Sequence, residues 1–184
     1  SDYGDLTVTR DKLFAGTIAN TTRGVFAGGD IDNTKQDVIE FITMTSQANA
    51  TDFGNLSAAK AGGAAFSSST RGVFAAGQDG SGRVNVIEYI TIANTGNGTD
   101  FGDTSAAQGS GLSSTTRGVI ALGNTGSASD TMEFVTIANT GNTTDFGNLT
   151  VARSNLTGAL ASATRGVFAG GYGASPSDVM DYIT

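Results

Sequence analysis

Apolar and polar residues alternate in short runs along the whole chain, and clusters of Gly, Asn, Ser and Thr separate the runs. In VIEFIT, VIEYIT, TMEFVT and VMDYIT, β-branched and aromatic residues alternate with a carboxylate, the pattern of a β-strand. A second kind of run, GVFAGG, GVFAAG or GVIALG, follows the tripeptide TRG and ends in glycine. No stretch sustains a 3.6-residue apolar period, so the pattern predicts an all-β chain nearly free of helix.

These runs keep one order and one period. SDYG starts at Ser1, and TDFG starts at Thr51, Thr99 and Thr144, at steps of 50, 48 and 45 residues. The TRG arginines are Arg23, Arg71, Arg117 and Arg165, at steps of 48, 46 and 48. The strand carboxylates are Glu40, Glu88, Glu133 and Asp181, at steps of 48, 45 and 48. Three landmarks with one spacing divide the chain into four units, about 1–50, 51–98, 99–143 and 144–184. Each unit carries four predicted strands. The first is small and apolar (13–18, 63–66, 111–113 and 156–161), the second follows TRG, the third holds the carboxylate, and the fourth is the DFGNL segment. Units of this length with four strands mark propeller blades. The expected fold is therefore one domain, residues 1–184: a four-bladed β-propeller with four antiparallel strands per blade and small residues at a narrow centre. The chain enters on a fourth-strand motif and its last residues follow a third strand. Residues 1–9 are thus expected to close the ring by pairing beside 179–184, which would remove an open sheet edge.

The units resemble kelch repeats. Glycine pairs end the second strand at Gly28-Gly29 and Gly170-Gly171, with Ala76-Gly77 and Leu122-Gly123 departing. Phe41, Tyr89, Phe134 and Tyr182 stand where kelch blades carry a Tyr, and Tyr3, Phe53, Phe101 and Phe146 where they carry a Trp. Arg10, Lys60 and Arg153 stand at the basic position that opens the next blade, with Gln108 departing. The wording is also similar to the TRGVFAGG, EYITI and TDFG repeats of predicted structural proteins of marine bacteriophages. The resemblance implies a kelch-like propeller and, from its second half, a virion or tail-fibre protein.

Composition narrows the chemistry. Among 184 residues there are 27 Gly and one Pro, and no Cys, His or Trp. Disulfides, zinc sites built on Cys or His, and Ser-His-Asp or Cys-His nucleophile pairs are excluded. Seventeen acids against ten bases give a net charge of −7 without a basic run, so neither nucleic acid nor an anionic membrane is an expected partner. No apolar stretch is long enough for a membrane-spanning helix, and the first residues lack the basic region and apolar core of a secretory signal. Carboxylate-pair catalysis needs no His, but the repeat spreads the acids roughly one per blade. The expectation is a non-enzymatic protein without cofactor or metal. Asp30, Asp32 and Asn33, and the Asp79-Gly80-Ser81-Gly82 segment, are oxygen-rich without the EF-hand spacing, and turn chemistry accounts for them.

Residues that return in every unit read as scaffold. Arg23, Arg71, Arg117 and Arg165 are expected to bond carboxylates or turn carbonyls, with the Glu40, Glu88, Glu133 and Asp181 series as candidate partners. The loops that differ between units, those after the second strands and those joining blades, are expected on one face. They supply the candidate binding residues Asp30, Asp32, Lys35, Asp79, Arg83, Asp130, Tyr172 and Asp178. The TTRG-type turns form the constant opposite face. A rigid frame with one variable face implies recognition. The expected function is a structural or adhesive module of a phage virion or tail fibre. It would sit outside the cell or on the virion surface, with other virion or surface proteins and cell-surface polysaccharide as partners. A glycan-binding propeller and an intracellular kelch-type protein-binding domain remain as alternatives.

Overall fold

The computed structural model describes residues 2–123, 127–156 and 158–184. Every regular element among them is a β-strand, and four antiparallel sheets stand in a ring as a four-bladed propeller. The first blade runs Ile18–Ala19, Arg23–Ala27, Val38–Thr43 and Thr51–Asn55. The second runs Ala64–Ser67, Arg71–Ala75, Val86–Thr91 and Thr99–Asp103. The third runs Gly109–Ser113, Arg117–Leu122, Ser129–Thr136 and Thr144–Arg153, and the fourth Gly158–Ala161, Gly166–Ala169 and Met180–Ile183. Each sheet is a meander in chain order from the centre outward. At the centre Ala15–Gly16 pairs in parallel with Ala64 and Ala65 of the second blade. A Cβ on Gly111 would lie 3.0 Å from the Ala65 carbonyl. Only small residues allow such an approach.

The TDFG motif is a β-bulge. In the first three blades the pairing of third and fourth strands slips by one residue just before the carboxylate: Ile87 faces Gly102, while Glu88 faces Asp100. The skipped residue is the Phe of TDFG, and its ring meets the third-strand aromatic edge-on at 6.0–6.1 Å (Phe41–Phe53, Tyr89–Phe101, Phe134–Phe146). The following Gly54, Gly102 and Gly147 take φ of +146, +145 and +122°, open to glycine alone. A bulge re-aims the neighbouring side chain. Here the carboxylate turns into the protein.

The hydrophobic core lies at the blade boundaries. One cluster joins blades one and two (Phe14, Ile18, Phe53, Phe74, Ile92), another blades two and three (Phe66, Phe101, Ile120, Ile137), and a third blades three and four (Leu112, Leu149, Phe168). The TRG glycines explain how the blades fit. A Cβ on Gly72 would lie 2.5 Å from Ile18 Cγ2, one on Gly118 would overlap the Phe66 ring, and one on Gly166 would lie 2.7 Å from Leu112 Cδ1. The inner strand of each of the first three blades thus places a large side chain, five residues before its own TRG arginine, in the socket left by the next blade's glycine.

The ring departs from expectation where the last blade meets the first. Residues 2–9 form no ladder with Met180–Ile183, so the fourth blade has three strands among the described residues. The segment lies instead on the first blade. Asp5 N–H donates to Asn49 Oδ1 (3.0 Å), Ala50 N–H to the Asp5 carbonyl (2.8 Å), and Tyr3 Oη–H to the Thr43 carbonyl (2.5 Å). The physical reason is the repeat itself. The fourth strands at Asn55 and Asp103 make the same two contacts to the turn of the following blade, through Asn97 and Gly98 and through Asn142 and Thr143. Residues 2–9 follow that half of their contacts.

Candidate functional site

The recurring charges sort into two sets. The TRG guanidinium groups lie over the third-strand aromatics: Arg23 over Phe41 (4.3 Å), Arg71 over Tyr89 (4.1 Å), Arg117 over Phe134 (4.8 Å) and Arg165 over Tyr182 (5.0 Å). From there Arg23 donates to the Ile92 and Ala93 carbonyls and Arg71 to the Ile137 carbonyl, each in the next blade. For these two arginines turn carbonyls, not carboxylates, are the acceptors. The carboxylates belong to the blade-opening bases. Arg10 pairs with Glu40, Lys60 with Glu88 and Arg153 with Asp181, all buried. A backbone N–H, from Thr7, Ser57, Ser105 or Thr150, donates to the carboxylate in each of the four units. Burial makes these pairs costly to break, because a lost partner strands a charge out of water.

The third unit lacks the base. Gln108 does not reach Glu133, because the stretch from TDFG to TRG is shortest there. Thr143 Oγ1 donates to Glu133 instead (2.5 Å), from the position that Gly98 holds in the second unit.

The loops after the second strands and the blade-joining loops do share one face. Asp11 bridges Asp30, Ala61 bridges Gln78, and Ser154 bridges Tyr172. Asp30 is buried at the base of the hairpin Asp30–Ile31 and Thr34–Lys35, where Lys35 Nζ (2.6 Å) and Lys12 Nζ (3.2 Å) meet its Oδ2 and its Oδ1 has no partner. The Lys35 hydrogen bond, joined by Lys12, holds its carboxyl below the usual carboxylate range. Asp32 is exposed at the hairpin tip, where it and Asn33 take φ of +49 and +67°, as a two-residue hairpin turn requires. Asp79 Oδ1 accepts the Ser81 and Gly82 N–H groups (2.7 and 2.9 Å) and closes its own turn. Arg83, Tyr172 and Asp178 are exposed, and Asp130 is half-buried. Of the eight, Asp30 and Lys35 are brought together, Asp32 stands at the tip of the same hairpin, and the other five lie apart in the second, third and fourth units, Asp130 at the start of the strand Ser129–Thr136.

What brings the four units together is the mouth of the central channel on this face. A cavity of about 420 Å³ is lined there by Lys12, Lys35, Gln78, Gln108, Asn155 and Leu156, among others. Lys12, Gln108 and Asn155 hold left-handed backbone (φ +48, +61 and +52°), and Gly62 does so in the second unit (+67°). Non-glycine residues pay about 1 kcal/mol or more for that conformation. Lys12, Gln78 and Asn155 were not singled out as binding residues in the sequence, and Gln108 stood out only as a departure. The signal for Lys12 and Asn155 was their shared place two residues after the basic position. No protein-family model matches the chain, and no curated protein is significantly similar to it.

Proposed function

We propose that the chain is a non-catalytic recognition module that presents its variable loop face to a partner. The contrast between the two faces carries this reading. One face repeats the TTRG turn four times, with the same Asn or Ser side chain accepting the turn N–H groups at Asn20, Ser68, Ser114 and Ser162. The other carries four loops of similar length that differ in sequence and charge on the same frame. Evolution of a binding surface needs that division, since loops vary at little cost to a rigid scaffold. The repeat wording supports placement on a phage virion or tail fibre, where the partner is another virion protein or a cell-surface polymer.

Glycan binding is the second reading, and the channel mouth favours it. Side-chain amides of Gln78, Gln108 and Asn155 beside Lys12 and the apolar Leu156 offer donors and acceptors around a sugar-sized space. A glycan array run with the parent chain and with Gln108→Ala tests both. Binding lost with Gln108→Ala while the melting temperature holds supports glycan recognition. No glycan bound, with a virion or surface protein captured through the loop face, supports the first reading alone. Binding abolished by Thr70→Ala on the constant face, and untouched by loop changes, contradicts both.

A further inference from the structure

Two halves of a blade interface lie unmatched on the surface. On the fourth blade Leu160, Met180 and Tyr182 are 69, 72 and 68% exposed. Their counterparts in the second blade, Phe66, Ile87 and Tyr89, are buried or half-buried. Around the first blade Tyr3, Phe26 and Met44 are exposed, while Phe74 and Ile92, the counterparts of the last two, are buried. Leu160 is the socket-filling residue without a socket. Gly24 is the socket without a filler from another blade: it is buried, and the atoms nearest to a Cβ there are Met44 Sδ, at 3.2 Å, and Ile42 of its own blade. Among the described residues Tyr182 has no edge-on aromatic such as Phe53, Phe101 and Phe146 give the other blades. No hydrogen bond or ion pair joins the fourth blade to the first among the described residues.

We propose that copies of this chain associate head to tail, the fourth blade of one copy docking on the first blade of the next. Leu160 displaces the exposed Met44 side chain and enters the Gly24 socket, Tyr182 meets Tyr3 edge-on, and residues 2–6 add an outer strand to Met180–Ile183. The internal interfaces dictate this pairing residue by residue. Gly4 already holds φ +143°, matching Gly54 and Gly102, so the donor segment is preformed. Arg165, exposed over Tyr182, would reach the carbonyl of Met44 as Arg23 reaches that of Ile92. A second copy meets both halves as they stand. Closing the seam within one chain would require three packed interfaces to shift together, and close-packed interiors resist such deformation. Such a heterologous contact gives a closed ring of copies or an open chain of them.

The chain has no cysteine, so crosslinking reads out cleanly. Tyr3→Cys and Tyr182→Cys proteins are mixed under mild oxidation at high protein concentration. The mixed dimer is expected to exceed both homodimers. Leu160→Asp in the Tyr182→Cys partner should cut its yield about tenfold or more, and Met180→Asp should act likewise. Both positions are exposed, so circular dichroism should not change. Sedimentation should show concentration-dependent association that Leu160→Asp abolishes. A mixture giving no mixed dimer, while the double variant Tyr3→Cys/Tyr182→Cys crosslinks only within single chains, overturns the proposal. So does a yield unaffected by Leu160→Asp.

Discussion

The boundary between the second and third blades and the seam between the fourth and first are built from the same repeat, yet they differ in almost every physical respect. At the first, Phe66 sits 1% exposed over Gly118, Arg71 reaches the Ile137 carbonyl, and Gly141 N–H bonds Phe101 (2.6 Å). At the second, Leu160 stands in solvent and Gly24 is covered most closely by Met44 and Ile42 of its own blade. The difference teaches that a repeat encodes half-interfaces. A residue's burial is set by whether the complementary half lies against it, and an identical motif is core in one blade and surface in another.

Deleting the socket filler is the strongest way to break the comparison. Phe66→Ala should cost about 3–5 kcal/mol in denaturant unfolding, because the Gly118 socket cannot collapse around the void. Leu160→Ala should change stability by no more than about 0.5 kcal/mol in dilute solution. Equal losses would show that the seam is packed. Next is the buried ion pair. Lys60→Ala strands Glu88 and should cost about 3 kcal/mol or more, whereas the third unit, with Thr143 on Glu133, has dispensed with its base. Introducing Gly98→Thr beside Lys60→Ala tests that substitution, and partial recovery of the melting temperature is expected. Arg71→Ala should cost roughly 1–3 kcal/mol by losing the Tyr89 face and the Ile137 carbonyl, with loop-face binding intact in the folded fraction. Arg165→Ala should cost far less. The smallest effect is on pH. Since Lys35 and Lys12 lower the Asp30 carboxyl, its contribution is present at neutral pH and lost as the pH falls below about 4. Asp30→Asn should flatten stability over that acid range, as thermal melts at stepped pH would report.

Much of the architecture was legible in the residues. The period-2 runs and the common spacing of TDFG, TRG and the strand carboxylate name four blades of strands, and the structure has them. Partner choice was not legible. Arginines, lysines and carboxylates all recur at one period, so spacing alone cannot tell whether Glu88 meets Arg71 or Lys60; the bulge at Phe101 decides it by turning the carboxylate inward. The TRG glycine was read as part of a turn signature, because a socket is the absence of a side chain and becomes visible only when Phe66 occupies it from another blade. The channel mouth escaped for a related reason. Aligning the units on TDFG put Gln108 in the basic slot, while the shorter stretch that follows carries it to the axis beside Asn155 and Lys12. The last blade was expected to hold the first residues, but the Glu40 clasp through Thr7 and Arg10 keeps them on the first blade.

The most direct measurement compares one methyl group at two equivalent glycines. Gly118→Ala and Gly24→Ala proteins are unfolded in urea at a dilution where the chain is monomeric. At Gly118 the added carbon overlaps the Phe66 ring, and at Gly24 its nearest neighbour is the flexible Met44 thioether at 3.2 Å, which can give by a few tenths of an ångström, followed by Ile42 at 3.4 Å. The predicted result is a loss of about 2–3 kcal/mol for Gly118→Ala and a change within about 0.5 kcal/mol for Gly24→Ala. Comparable losses at both positions would contradict the claim that the socket is filled between the second and third blades and empty at the seam.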